Sequence, residues 1–115
     1  MKFSLEHINQ IQVVALKGNL DGGWENLSLK DKVSELVQNG ERDFLFDLGE
    51  AHFVNSTGIG VLVACLATVR GSGGRLKFCR VGHRIRRSLE TTGGGIWGSL
   101  DVEQDRETAL QSFSG

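Results

Sequence analysis

Phe44-Leu45-Phe46-Asp47-Leu48 leads through a short link to Val54-Asn55-Ser56-Thr57-Gly58-Ile59-Gly60-Val61-Leu62-Val63, and this pair of segments decides the reading of the chain. The first is a β-type run lying between Gly40 and Gly49, and its continuous apolar character predicts a strand, Arg42 to Leu48, covered on both faces. The second reads as a small-residue turn that opens a helix from Ser56 to Val69, apolar almost all round and therefore expected to be buried in the fold except at its outward end. Ser56 stands at the start of that helix. The first turn of a helix has unpaired N–H groups and the positive end of the peptide dipole, so negative charge is favoured there. A phosphate fits at such a position.

Working outward, Phe3, Leu5 and His7 alternate with Ser4 and Glu6, Asn9-Gln10 interrupts, and Ile11 to Leu16 resumes a β pattern. That order predicts a two-stranded hairpin. Between Trp24 and Asn39, Leu29, Val33, Leu36 and Val37 share one face at helical spacing, with Gly40 placed as the residue that ends the helix. Gly71-Ser72-Gly73-Gly74 closes the central helix, and Arg75 to Val81 alternates as a strand that offers Leu76, Phe78 and Val81 to the core. His83 to Thr92 predicts a short helix with Ile85 and Leu89 inward. Leu100-Asp101-Val102 predicts a brief strand, and Asp105 caps a last helix carrying Ala109, Leu110 and Phe113. Strands alternating with helices make this an α/β chain: a single mixed sheet of about four to five strands, antiparallel at its start, with four or so helices packed against it.

The 115 residues fit one domain, 1–115, with one moderate core. Thirteen basic and fourteen acidic residues leave a formal charge of −1, which argues against the footprint of a strongly basic nucleic-acid-binding domain. Met1 to Glu6 meets a charge and then alternates, so no signal peptide is expected. The longest apolar run is too short to span a bilayer, and a cytoplasmic location without membrane insertion follows. Cys65 and Cys79 lie in apolar surroundings without metal-type spacing and are expected as a reduced pair. Asn26-Leu27-Ser28 and Asn55-Ser56-Thr57 match the glycosylation sequon, which has no meaning in a chain that is not secreted.

The other candidate sites fail on chemistry. Gly58-Ile59-Gly60 follows a strand as a dinucleotide fingerprint does, but its third position is Val63 rather than Gly or Ala. Gly71-Ser72-Gly73-Gly74-Arg75 lacks the Lys-Ser/Thr of a P-loop and follows a helix instead of opening one. His7, His52 and His83 are scattered, with no nucleophile and carboxylate spaced to make them catalytic. Arg75, Lys77, Arg80, Arg84, Arg86 and Arg87 concentrate positive charge around one strand and helix. Without interleaved aromatic residues they read as a solvated face balanced by Glu90 and the acidic tail, not as a nucleic-acid site. Asp21, between a strand and the helix start at Trp24, is placed to hold the Gly22-Gly23 turn through its side chain.

Asn55-Ser56-Thr57-Gly58-Ile59-Gly60 resembles the helix opening of the STAS domain, and within it of the bacterial anti-sigma factor antagonists, whose pattern is Asp-Ser-Ser/Thr-Gly-Leu/Ile-Gly. Leu16-Lys17-Gly18-Asn19-Leu20-Asp21 is similar to the family's Gly-x-Leu-Asp. The tail Asp101-Val102-Glu103 with Glu107-Thr108-Ala109-Leu110 extends the likeness over nearly the whole chain. Two departures stand out: Asn55 replaces the usual Asp, and Gly93-Gly94-Gly95 replaces a usual Gly-Leu.

The resemblance implies a non-catalytic regulatory module without a cofactor, which binds an anti-sigma factor serine kinase when unphosphorylated and so frees a sigma factor. Phosphorylation of Ser56, with Thr57 as the adjacent alternative, would switch it off, and a phosphatase is a further partner that the family's chemistry calls for. The partner face then comprises Asp21, Asn55, Ser56, Thr57, Gly58 and Ile59, with Asn55 as cap or orienting group and Ile59 as an apolar contact. The alternative is an STAS subunit of a membrane lipid- or anion-transport assembly.

Overall fold

The computed structural model describes residues 2–21, 23–92 and 96–114, the side chains at 24–27 and 92 excepted. Five strands form one sheet in sequential order: β1 (Lys2–Ile8), β2 (Ile11–Leu20), β3 (Asp43–Val54), β4 (Arg75–Cys79) and β5 (Asp101–Glu103). β1 pairs antiparallel with β2, and every later pair is parallel. Asn9 and Gln10 connect the hairpin at φ 51° and 67°, the left-handed pair that a tight two-residue turn needs to match strand twist.

The helices are α1 (Trp24–Gln38), α2 (Ser56–Gly71), α3 (His83–Thr92) and α4 (Arg106–Gln111), with a 3₁₀ turn at Ile96–Ser99. Both α1 and α2 end in the same way. Gly40 (φ +100°) and Gly73 (φ +87°) take the left-handed conformation, and the amide beyond each returns to a carbonyl of the last turn, Glu41 to Leu36 and Gly74 to Val69. This closure satisfies carbonyls that would otherwise lack donors.

The apolar run of β3 is covered on both faces because its side chains alternate. Phe44, Phe46 and Leu48 join Val14, Leu16, Leu76 and Phe78 beneath α1, α2 and α3. Leu45 faces the other way with Ile11, Val13 and Cys79, where Ala109 of α4 and Phe113 cover it. Phe46 and Phe78 meet edge to face, with ring centroids 5.7 Å apart.

Three expectations about bounds and burial change. β3 does not end at Leu48 but runs to Val54, past its last pair with β4 at Asp47, and pairs with β2 through register shifts between Ala15 and Lys17 and between Gly18 and Asn19. β4 stops at Cys79 because Arg80 turns to φ +55°, which leaves Val81 half-buried at the margin of the core. α2 is not buried all round. Ile59, Leu62, Leu66 and Val69 face inward, whereas Gly60, Val63 and Ala67 are exposed. The Gly93-Gly94-Gly95 departure lies outside the described residues; Trp97 just beyond it packs against the main core.

Candidate functional site

The site is the open turn between β3 and α2, and its position follows from the extra length of β3. Leu20 pairs with Val54 at the ends of two parallel strands, so the residues that follow each strand, Asp21 and Asn55, emerge side by side. Asn55 N–H donates to the Leu20 carbonyl (3.1 Å). Its side-chain amide lies 3.4 Å from the Asp21 carbonyl. Its Oδ1 accepts from Gly58 N–H at 2.9 Å, so Asn55 is the N-cap of α2 and satisfies one of the helix's free donors.

Gly58 shows why the turn needs a glycine there. A Cβ at this position would stand 1.9 Å from the Leu20 carbonyl oxygen, well inside any permitted contact, so α2 can seat its first turn on β2 only without a side chain. Gly60 is the opposite case: a Cβ would meet nothing within 4 Å. Its smallness leaves room outside the helix.

Asp21, Ser56 and Thr57 are exposed, and Asn55 is half-buried between them. Among the described residues none exchanges a hydrogen bond with the Ser56 hydroxyl. Asp21 Oδ1 accepts from Gly23 N–H at 3.3 Å, the turn-holding geometry expected from its place in the chain. Gly58 and Ile59 are both buried, Ile59 to 5% exposure within the main core, and they support the turn from beneath.

The exposed apolar surface near Ser56 comes from residues not singled out by sequence. Val63 is 39% exposed and Phe53 37%. Val63 lies two turns along α2 on the Ser56 and Gly60 side, a spacing that the sequence contains but that an all-apolar helix conceals. Phe53 belongs to the part of β3 beyond Leu48, and Arg84 of α3 stands over its ring at 5.9 Å.

The basic cluster separates into individual contacts. Arg75 forms a two-point pair with Asp43, Lys77 reaches the Ser112 carbonyl and hydroxyl, and Arg86 pairs with Glu90 at 3.3 Å. Arg80 and Arg106 both reach Asp47, whose side chain is only 3% exposed, at 3.3 and 2.9 Å. Asp47 also accepts from Gly49 N–H. It therefore ties β3, β4 and α4 together on the face away from α2. A balanced solvated face describes Arg86 alone, since no acidic-tail carboxylate pairs with Arg84 or Arg87 among the described residues.

The remaining chemistry-bearing side chains do not converge. His7 lies 3.6 Å from Glu41, while His52 and His83 are exposed elsewhere. Cys65 and Cys79 are free and buried, and each thiol is pushed up to about 12, by burial in the first case and by burial reinforced by Asp47 in the second. Such thiols stay protonated near neutral pH and are poor nucleophiles. Among the described residues no three His, Cys, Asp or Glu side chains group to hold a metal ion, and no helix is long and apolar enough to cross a membrane.

Comparison with known proteins agrees with this fold. BtrV of Bordetella bronchiseptica, assigned by name to the anti-sigma factor antagonists, is 25% identical over 113 residues, covering 98% of this chain and 95% of that protein. The anti-sigma-B factor antagonist of Bacillus subtilis is 29% identical over 83 residues, 72% of this chain and 73% of that one. The fold matches the anti-sigma factor antagonist SpoIIAA in its unphosphorylated form with a TM-score of 0.78 at 19% identity, covering 99% of each chain. The phosphorylated form of SpoIIAA from Bacillus gives 0.75 at 20%, covering 97% of this chain and 99% of that one. The STAS domain model matches residues 2–97, and with the five-stranded sheet, the capped turn at Asn55 and relatives that are anti-sigma factor antagonists, this chain belongs to the STAS domain family.

Proposed function

We propose that this chain is an anti-sigma factor antagonist that binds an anti-sigma serine kinase while Ser56 is unmodified and releases it once Ser56 is phosphorylated. It works in the cytoplasm by binding, without a reaction of its own, and a phosphatase restores the binding form. The observation that carries the reading is the Ser56 hydroxyl, exposed and, among the described residues, unpartnered on a turn that Asn55 and the Leu20 carbonyl hold in place.

Phosphate at this position is compatible with the fold. α2 has no acidic residue in its first turn, so the added charge of about −1.5 to −2 meets helix N–H groups and the positive dipole end without an opposing anion on the helix itself. A partner seated on Ser56, Gly60 and Val63 meets the same charge in an apolar contact. Desolvating an unpaired anion there costs several kcal/mol, and about 2.7 kcal/mol already lowers affinity a hundredfold. Asp21 belongs to the same face by position, and Thr57 is the neighbouring acceptor.

The test is phosphorylation by the cognate kinase with ATP, followed by mapping of the modified residue and calorimetry on two variants. Ser56→Ala should bind as the unmodified chain does and resist phosphorylation, and Ser56→Asp should keep its melting temperature and lose at least a hundredfold in affinity. Equal affinities for the two variants would make Ser56 a structural residue. Capture of a transporter component in place of a kinase would favour the transport-assembly alternative.

A further inference from the structure

Six of the eight arginines in the chain engage an acid or a carbonyl. Arg84 and Arg87 are the exceptions among the described residues. Both are exposed on α3, and neither guanidinium meets a carboxylate or a carbonyl. Their placement also opposes helix electrostatics. α3 begins His83-Arg84-Ile85-Arg86-Arg87 with no acid in its first turn, so cations gather at the end where the peptide dipole favours anions. Glu90 pairs with Arg86, and among the described residues no carboxylate pairs with Arg84 or Arg87.

The patch adjoins the candidate site. Arg84 is held over the exposed ring of Phe53 at 5.9 Å, and three residues from Phe53 to Ser56 span at most about 11 Å of chain. Phe53 thus joins the cation on α3 to the strand end that leads into Ser56, and a partner wide enough to cover the turn also reaches the start of α3.

We infer that the Arg84 and Arg87 face of α3 docks an acidic segment of the kinase beside Ser56; the inference rests on the kinase-binding reading above. A protein carboxylate surface fits better than nucleic acid. Two uncompensated arginines in a chain of net charge −1 make a small footprint, and the Phe53 ring already carries Arg84 on its face instead of being open for base stacking. Phe53, exposed beneath Arg84, and Val63, exposed along α2 from Ser56, add apolar surface to the charged one, the mixture found in a protein interface. Phosphorylation then acts twice. A phosphate of about −1.5 to −2 offsets the two arginine charges and also faces the partner's acids.

Calorimetry against the cognate kinase at low, physiological and high salt tests this with Arg84→Glu, Arg84→Glu/Arg87→Glu and Ser56→Asp. The melting temperature of Arg84→Glu should stay within about 3 °C of the parent, because an acid in the first turn of α3 offsets loss of the Phe53 contact. Its affinity should fall about tenfold or more at low salt, with a smaller loss at high salt. A kinase carrying Lys in place of the matching carboxylate should recover it. If Arg84→Glu and the double variant bind like the parent while Ser56→Asp does not, the acidic docking is overturned and the Ser56 reading stands. If Ser56→Asp also binds normally, both fail. Submicromolar binding of random-sequence duplex DNA at physiological salt, abolished by Arg84→Glu, would overturn the inference in favour of nucleic acid.

Discussion

Replacing Gly58 with Ala should unfold the site from beneath, and the same substitution at Gly60 should not. A methyl group on Gly58 lies 1.9 Å from the Leu20 oxygen and 2.6 Å from its carbonyl carbon, so α2 must withdraw by more than 1 Å or β2 must give. Overpacking against backbone costs about 1–3 kcal/mol. Withdrawal also stretches the Asn55 N–H bond to Leu20 and the Asn55 cap on Gly58, each worth about 1 kcal/mol. Against this stands a helix-propensity gain of about 1 kcal/mol for Ala over Gly. The net is a loss of about 2–4 kcal/mol, or roughly 10–20 °C in melting temperature for a domain of this size. Gly60→Ala meets no atom within 4 Å and should gain about 0.4–1 kcal/mol. Urea unfolding of the two variants beside the parent measures the difference, with the slope checked to confirm the same two-state transition. A Gly58→Ala protein as stable as Gly60→Ala would refute the seating of α2 on the Leu20 carbonyl.

Asn55→Ala should lower stability by about 1 kcal/mol through loss of the cap on Gly58. Asn55→Asp should keep that stability and speed phosphorylation of Ser56, because a carboxylate can assist loss of the hydroxyl proton where an amide cannot; single-turnover kinase assays read the rate. Asp47→Ala should cost about 2 kcal/mol, below the loss for a fully buried pair because Arg80 and Arg106 remain 48% and 33% exposed and can return to water. Faster hydrogen exchange in α4 would accompany it, and unchanged exchange there would contradict the clamp. Asp105 caps α4 by accepting from Thr108 N–H, and that bond lowers its pKa below the ordinary 3.8. Its stabilisation is therefore complete above 3.8 and lost as pH falls through the lower folded value. Exchange in α4 should accelerate only under those acidic conditions, and Asp105→Asn should remove the pH dependence.

The alternation of sheet and helix, the hairpin at Asn9-Gln10, the helix ends at Gly40 and Gly73, and the caps at Asn55 and Asp105 are all legible in the sequence. Each depends on residues within a few positions of one another, so turn chemistry and apolar period suffice. The serine at the start of α2 belongs to the same class. Tertiary structure decided what depends on distant partners. Leu45 and Phe46 occupy opposite cores only because strand pairing fixes which face α4 covers. Asp47 sits in an apolar run, and its burial became intelligible when Arg80 and Arg106 arrived from β4's end and α4. Ile59 and Val63 are equally apolar and lie on one helix, yet packing against the sheet buries the first and leaves the second exposed. The cations from Arg75 to Arg87 are close in sequence, but only their separate partners show that, among the described residues, Arg84 and Arg87 are left uncompensated. Composition counts charge, whereas the fold decides which charges meet.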